Sequence, residues 1–99
     1  MKDFNNISNV YFLGIGGIGM SALARYFNAK GVKVVGYDKT PSALTDTLIE
    51  EGISIHFEDS VEQLVSNTEL VIYTPAIPKD NVQMNWYLDN GFTLYKRAQ

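Results

Sequence analysis

The glycines are the residues whose spacing most directly suggests chemistry. Gly14-Ile15-Gly16-Gly17-Ile18-Gly19 spells Gly-x-Gly-x-x-Gly, between an apolar run at 10–13 and the segment 20–27. A turn of this kind between a strand and a helix sets backbone N–H groups at the helix N-terminus, where they lack intrahelical acceptors. The aligned peptide dipoles add roughly half a positive charge there. Without Cβ atoms the backbone can approach a ligand closely, so the expected guest is a phosphate or diphosphate. In such turns the first glycine permits the tight bend, the second the ligand approach, and the third close helix–strand packing. These roles fall to Gly14, Gly16 and Gly19. The alternative is a tight turn with no ligand.

Two further segments offer polar groups. Asp38 stands about 20 residues beyond the turn, where an acid in a dinucleotide domain bonds a ribose hydroxyl. It could instead cap the turn into the next helix. Thr74-Pro75-Ala76-Ile77 offers a hydroxyl at Thr74 and room at Ala76, or is simply a loop shaped by two prolines, Pro75 and Pro78. His56 is the one histidine and there is no cysteine, so neither a metal site nor a Ser/His/Asp set is expected. Glu50-Glu51 and Glu58-Asp59 read as solvated acids. No Gly-x-x-x-x-Gly-Lys-Ser/Thr loop is present, so the ATP-hydrolysing type of phosphate loop is missing from the sequence. These residues bind; no catalytic residue is assigned.

The elements that must position them alternate. Strands are expected at 9–13, 33–37, 53–55, 69–73 and 92–95. The first helix spans 17–30 and stops at Gly31. The second starts at Pro41 with Thr40 as its cap, and carries Leu44, Leu48 and Ile49 to Gly52. A short helix through Val61, Leu64 and Val65 follows a cap at Asp59 or Ser60. The last, capped by Asp80, runs through Met84, Tyr87 and Leu88 to Gly91. This alternation predicts a Rossmann-like three-layer α/β/α domain with a five-stranded parallel sheet, order 3-2-1-4-5. Ligands then sit at the strands' carboxyl ends, beside the switch between strands one and four. The three candidate segments all fall there.

Bulk properties narrow the class. The 99 residues are 45% hydrophobic and 19% charged, which suits one domain over 1–99. A net charge of −3 lacks the basic stripe that nucleic-acid binding needs. No apolar run approaches the ~20 residues of a membrane span, and residues 1–6 lack a signal-peptide core. With no cysteine either, the expected location is the cytoplasm.

The string Phe12-Leu13-Gly14-Ile15-Gly16-Gly17-Ile18-Gly19-Met20-Ser21 resembles the opening of the Mur ligases. Val35-Gly36-Tyr37-Asp38, Leu44-Thr45, Leu48, Glu51-Gly52-Ile53, Thr74-Pro75-Ala76-Ile77, Asn81 and Lys96-Arg97-Ala98 agree in order. Within that bacterial family the likeness is nearest to the members that add L-alanine to UDP-N-acetylmuramate during peptidoglycan synthesis. It implies three domains: an N-terminal one for the UDP part of the substrate, a central ATPase, and a C-terminal one closing over ATP and amino acid. This chain matches the first and is expected to end where the central domain would begin. The implied parent reaction passes through an acyl phosphate and uses ATP and Mg²⁺, neither of them bound by this chain. Carried over by residue, the backbone around Ile15, Gly16, Gly17, Ile18 and Gly19 faces the diphosphate. Asp38, Thr74 and Ala76 line the uridine and sugar part, and Arg97 stands near the domain junction. Tyr37 departs from the serine of many members, and Glu58-Asp59 from their Gly-His. Both flank the nucleoside end, and the two acids are expected to point to solvent.

Two other readings share some of these features. The glycine spacing and Asp38 also permit a nicotinamide-dinucleotide domain of a dehydrogenase or redox-sensing regulator. A sister ligase that recycles muropeptides would take the same UDP-sugar, but its glycine loop usually departs from this string.

Overall fold

The computed structural model describes residues 7–64 and 68–97. The order of elements is β1 (Asn9–Leu13), α1 (Ile18–Ala29), β2 (Lys33–Tyr37), α2 (Ala43–Glu50), β3 (Ser54–His56), a 3-10 turn (Val61–Gln63), β4 (Leu70–Tyr73), α3 (Val82–Asp89) and β5 (Leu94–Lys96). The sheet runs β3-β2-β1-β4-β5, as expected, with every pair parallel. β1 is central: Val10 pairs with Val34 on one side and with Leu70 on the other.

Why these segments are strands follows from their faces. A parallel sheet is covered on both sides, so its strands are apolar throughout rather than alternating. Val10 and Phe12 of β1 join Val34, Leu70 and Ile72 in one core, with Met20, Ala24 and Phe27 of α1 and Leu48 of α2. Tyr11 and Leu13 face the other way and pack with Val35, Val71 and Tyr87 of α3. Full burial of each such large side chain contributes roughly 1.5–3 kcal/mol. Gly36 of β2 is part of this packing. A Cβ there would come within 2.6 Å of Ile15 Cδ1, so the missing side chain makes room for the residue that opens the glycine turn.

The helices end where the sequence indicates and begin elsewhere. Gly31, Gly52 and Gly91 follow α1, α2 and α3 with positive φ of 83°, 98° and 81°. The cap of α2, however, is Ser42 rather than Thr40. Its hydroxyl accepts from the Thr45 amide, and Thr45 Oγ1 accepts from the Ser42 amide, a reciprocal capping box. Ile49, expected on the buried face of α2, is exposed; Thr45 is buried in the core position instead. The cap of α3 is Asn81, whose Oδ1 accepts from the Met84 amide, rather than Asp80. Leu88 of α3 is exposed as well. The short helix after β3 is a single 3-10 turn capped by Ser60, and Val65 lies outside the described residues. No helix among the described residues is long and apolar enough to cross a membrane.

Candidate functional site

The carboxyl ends of β1, β2 and β4 open onto a cleft of about 600 Å³. Its walls are Gly14, Gly16 and Gly17 from the glycine turn, and Tyr37, Asp38 and Lys39 from the end of β2. The β4–α3 loop adds Thr74, Ala76, Ile77, Pro78, Asp80 and Asn81, and Asp59 reaches in from the segment after β3. A volume of this order suits a small-molecule ligand. It lies beside the β1/β4 boundary, where the topology changes direction.

The glycine turn is held before any ligand arrives. Gly14 and Ile15 both donate to the Tyr37 carbonyl, at 2.8 and 3.0 Å, which joins the turn to β2. The Gly16 amide donates to Asp38 Oδ2 at 2.8 Å. The first amide inside α1 to find a helical acceptor is Ser21, on the Gly17 carbonyl at 2.7 Å. By helix geometry the amides of Ile18, Gly19 and Met20 have no intrahelical acceptor. The expected cradle of amides from Ile15 to Gly19 therefore narrows. The Ile15 amide is spent on β2 and its side chain is fully buried, while the Gly16 amide is spent on Asp38. The Gly17 amide donates to the Gly14 carbonyl at 3.4 Å, so what remains for an anion is the amides of Ile18, Gly19 and Met20 at the start of α1.

The glycines hold their places for reasons partly different from those expected. Gly14 does make the tight bend, with φ +91°, and the Thr74 methyl occupies the space of its missing side chain. At Gly16 a Cβ would lie 2.7 Å from Asp38 Oδ2 and 3.1 Å from Thr45 Cγ2. The closest approach at Gly16 is thus by the protein's own carboxylate rather than by a ligand. At Gly19 the neighbour is not a strand. A Cβ there would meet the Arg97 guanidinium, 3.4 Å from Nη2. Arg97 is delivered by β5, its amide bonded to the Tyr73 carbonyl at 2.8 Å. The guanidinium and the start of α1 are both positive, so an anion beside Gly19 would be attracted by the two together.

Asp38 takes the turn-capping role read from the sequence and also holds the glycine turn. Oδ2 holds the Gly16 amide and Oδ1 accepts from Thr40 N at 3.0 Å, so it ties the turn to its own loop. Each carboxylate oxygen still has a second lone pair to offer a hydroxyl from the cleft. Thr74 fixes its loop by accepting from the Ile77 amide at its carbonyl, while its own amide bonds Leu13. Tyr37 closes the wall between Asp38 and Asp59. Burial, then the Asp59 and Asp38 carboxylates, pushes its phenol pKa up, so it stands there as a neutral group.

Asp59 does not point to solvent as expected. Its two oxygens accept from the amides of Val82 and Gln83, at 2.7 and 2.9 Å, and so dock it on the start of α3. A carboxylate is stabilised by the open amides of a helix N-terminus, which outweighs exposure to water. Glu58 is exposed. Gln83, a fully buried amide bridging three elements, carries no motif that would have singled it out. Its Oε1 accepts from the Tyr11 hydroxyl at 2.7 Å, and its Nε2 donates to the Ser60 and Glu58 carbonyls.

Of the expected site residues, Gly16, Gly17, Asp38, Thr74 and Ala76 line the cleft. Ile18 and Gly19 adjoin it through Gly17, and Arg97 stands against Gly19. Among the described residues no group of three or more His, Asp or Glu could hold a metal ion.

Fold and cleft together define a doubly wound α/β binding domain that takes its ligand at the carboxyl ends of parallel strands. A family model described as "Mur ligase family, catalytic domain" matches residues 9–99. The chain belongs to the Mur ligase family. The UDP-N-acetylmuramate–L-alanine ligase of Flavobacterium psychrophilum is 56% identical over 102 residues, covering 98% of this chain and 22% of that protein. The ligase of the same name from Phocaeicola vulgatus is 52% identical with the same coverage. The crystal structure of UDP-N-acetylmuramate-alanine ligase from Thermotoga maritima superposes with a TM-score of 0.84 at 32% identity, over 90% of this chain and 20% of that one. The chain therefore spans about a fifth of the length of the relatives it matches. The nicotinamide-dinucleotide alternative finds no support in these relatives.

Proposed function

We propose that this chain is one domain, the UDP-N-acetylmuramate-binding one, of a ligase that adds L-alanine to that substrate in peptidoglycan synthesis. The observation that carries it is convergence. The start of α1, Asp38 and the 74–77 loop meet around one cleft of about 600 Å³ at the sheet's switch point. Relatives named for this substrate share about half of the chain's residues.

In this reading the diphosphate lies at the amides from Ile18 to Met20, with the Arg97 guanidinium beside Gly19 adding positive charge. Asp38 takes a ribose hydroxyl while keeping Gly16 in place, and Thr74 and Ala76 border the nucleoside or sugar. Ile15 contributes by packing under Gly36 and shaping the turn. ATP and Mg²⁺ would be held by the rest of the parent polypeptide, since this sequence has no phosphate loop with lysine. The central and C-terminal domains are then the partners of this one. Its place is the cytoplasm, where ATP is supplied.

Calorimetric titration of the chain with UDP-N-acetylmuramate and, separately, with NADH tests the reading. Saturable heat with the UDP-sugar and none with NADH is expected. The reverse pattern would sink it.

A further inference from the structure

Asn81 has a donor that the protein does not use. The residue is 4% exposed and lines the cleft. Its Oδ1 is committed to the Met84 amide, at 2.8 Å, as the cap of α3. That bond fixes the orientation of the side-chain amide, because only the oxygen can accept. Its backbone amide and carbonyl are also taken, by Pro78 and by Asn85. Nδ2 is left with no acceptor among the described residues. A buried donor without a partner costs free energy unless water or a ligand serves it.

The surroundings say what kind of acceptor would serve it. The neighbouring amides of α3 offer nothing to a ligand, since Val82 and Gln83 donate to Asp59. Asp80 precedes Asn81 in the cleft wall and Asp59 is docked on the amides of the two residues that follow it, so carboxylates flank this donor, whereas Arg97 stands against Gly19 of α1. An anionic oxygen would be repelled beside those carboxylates, and a neutral carbonyl would not. The geometry points to Asn81 Nδ2 as the donor that reads a neutral carbonyl oxygen of the bound ligand, beside the Asp59 and Asp80 carboxylates. This rests on the nucleotide reading above and deepens it. A water occupies the donor when the cleft is free, and the carbonyl replaces it on binding. In a UDP-sugar the carbonyl has two sources, the base and the sugar's acetamide.

Two variants remove the Nδ2 donor and leave a residue that suits the cap position. Asn81→Asp retains Oδ1 for the Met84 amide, and Asn81→Gly brings neither charge nor a side-chain donor. Each is titrated with UDP, UDP-N-acetylmuramate and inorganic pyrophosphate, and its thermal midpoint is compared with that of the wild type. Both should lose about tenfold in UDP affinity, the size of one hydrogen bond, with pyrophosphate changed less than about twofold and little loss of thermal midpoint. A loss seen with UDP-N-acetylmuramate but not with UDP supports the donor and assigns the carbonyl to the acetamide. Unchanged affinity for both nucleotides in Asn81→Gly overturns the proposal alone. So does an equal loss for pyrophosphate. A wild-type chain that answers neither nucleotide overturns the nucleotide reading and this proposal with it.

Discussion

At the scale of single residues, the cleft is governed by one carboxylate used several times. Asp38 anchors Gly16, turns the chain at Thr40, and leaves lone pairs toward the cavity. Asp38→Ala should therefore lower both stability and ligand affinity. Two backbone donors lose a charged acceptor, which costs about 1–3 kcal/mol, read from urea denaturation. Asp38→Asn, which keeps one acceptor oxygen, should recover part of it. Gly16→Ala attacks the same contact from the other side, because its Cβ would stand 2.7 Å from Oδ2. The two substitutions should be clearly non-additive: Gly16→Ala in the Asp38→Ala background should cost less than in the wild type. Full additivity in the double-mutant cycle would mean that the turn and the acid do not depend on each other.

At the scale of elements, the order of the sheet was legible because both of its signals are strong. Apolar runs mark β1, β2 and β4, and glycines mark the ends of all three helices. Helix starts were less legible. Thr40-Pro41 reads as cap and first turn, yet Ser42 is the cap because Thr45 stands three residues on to complete the box. Asp80 and Asn81 are both good caps, and only the loop geometry chooses Asn81. The segments of the site could be named from the sequence, since their places follow from topology. What each glycine meets could not, because Asp38, Thr74, Ile15 and Arg97 reach Gly16, Gly14, Gly36 and Gly19 through tertiary packing. The corrected cap can be checked directly. Ser42→Ala should cost about 1 kcal/mol in chemical denaturation, and Thr40→Ala should stay within about 0.5 kcal/mol. Equal effects of the two would return the cap to Thr40.

At the scale of the whole molecule, three phenols are buried against one sheet face and the cleft. Burial raises the pKa of Tyr11 above its usual 10.0, with Tyr87 adding to the shift. It raises Tyr87 too, and also Tyr37, with the nearby carboxylates adding to the shift at Tyr37. Above pH 10 the unfolded chain releases these protons while the native state keeps them, so unfolding gains as pH rises. Their contribution is fully present below that value and is lost above it. The urea midpoint should fall steadily from about pH 10 upward, and Tyr11→Phe should make that fall shallower. An unchanged alkaline slope in Tyr11→Phe would mean that Tyr11 ionises as readily folded as unfolded.

The central position of β1 also bears on how the molecule assembles. Asn9 pairs with Lys33, whereas Val10 must wait for Leu70. Loop closure is cheaper for the nearer partner, so the β1-α1-β2 half can form while the β4 half is still being made. That half already contains the glycine turn, Asp38 and their mutual bond, but it has only one wall of the cleft. The second wall, from Thr74 to Asn81, arrives with β4 and α3. A ligand that spans both walls favours the last docking step over its reversal, and so acts as a late clamp on folding as well as a guest of the finished domain.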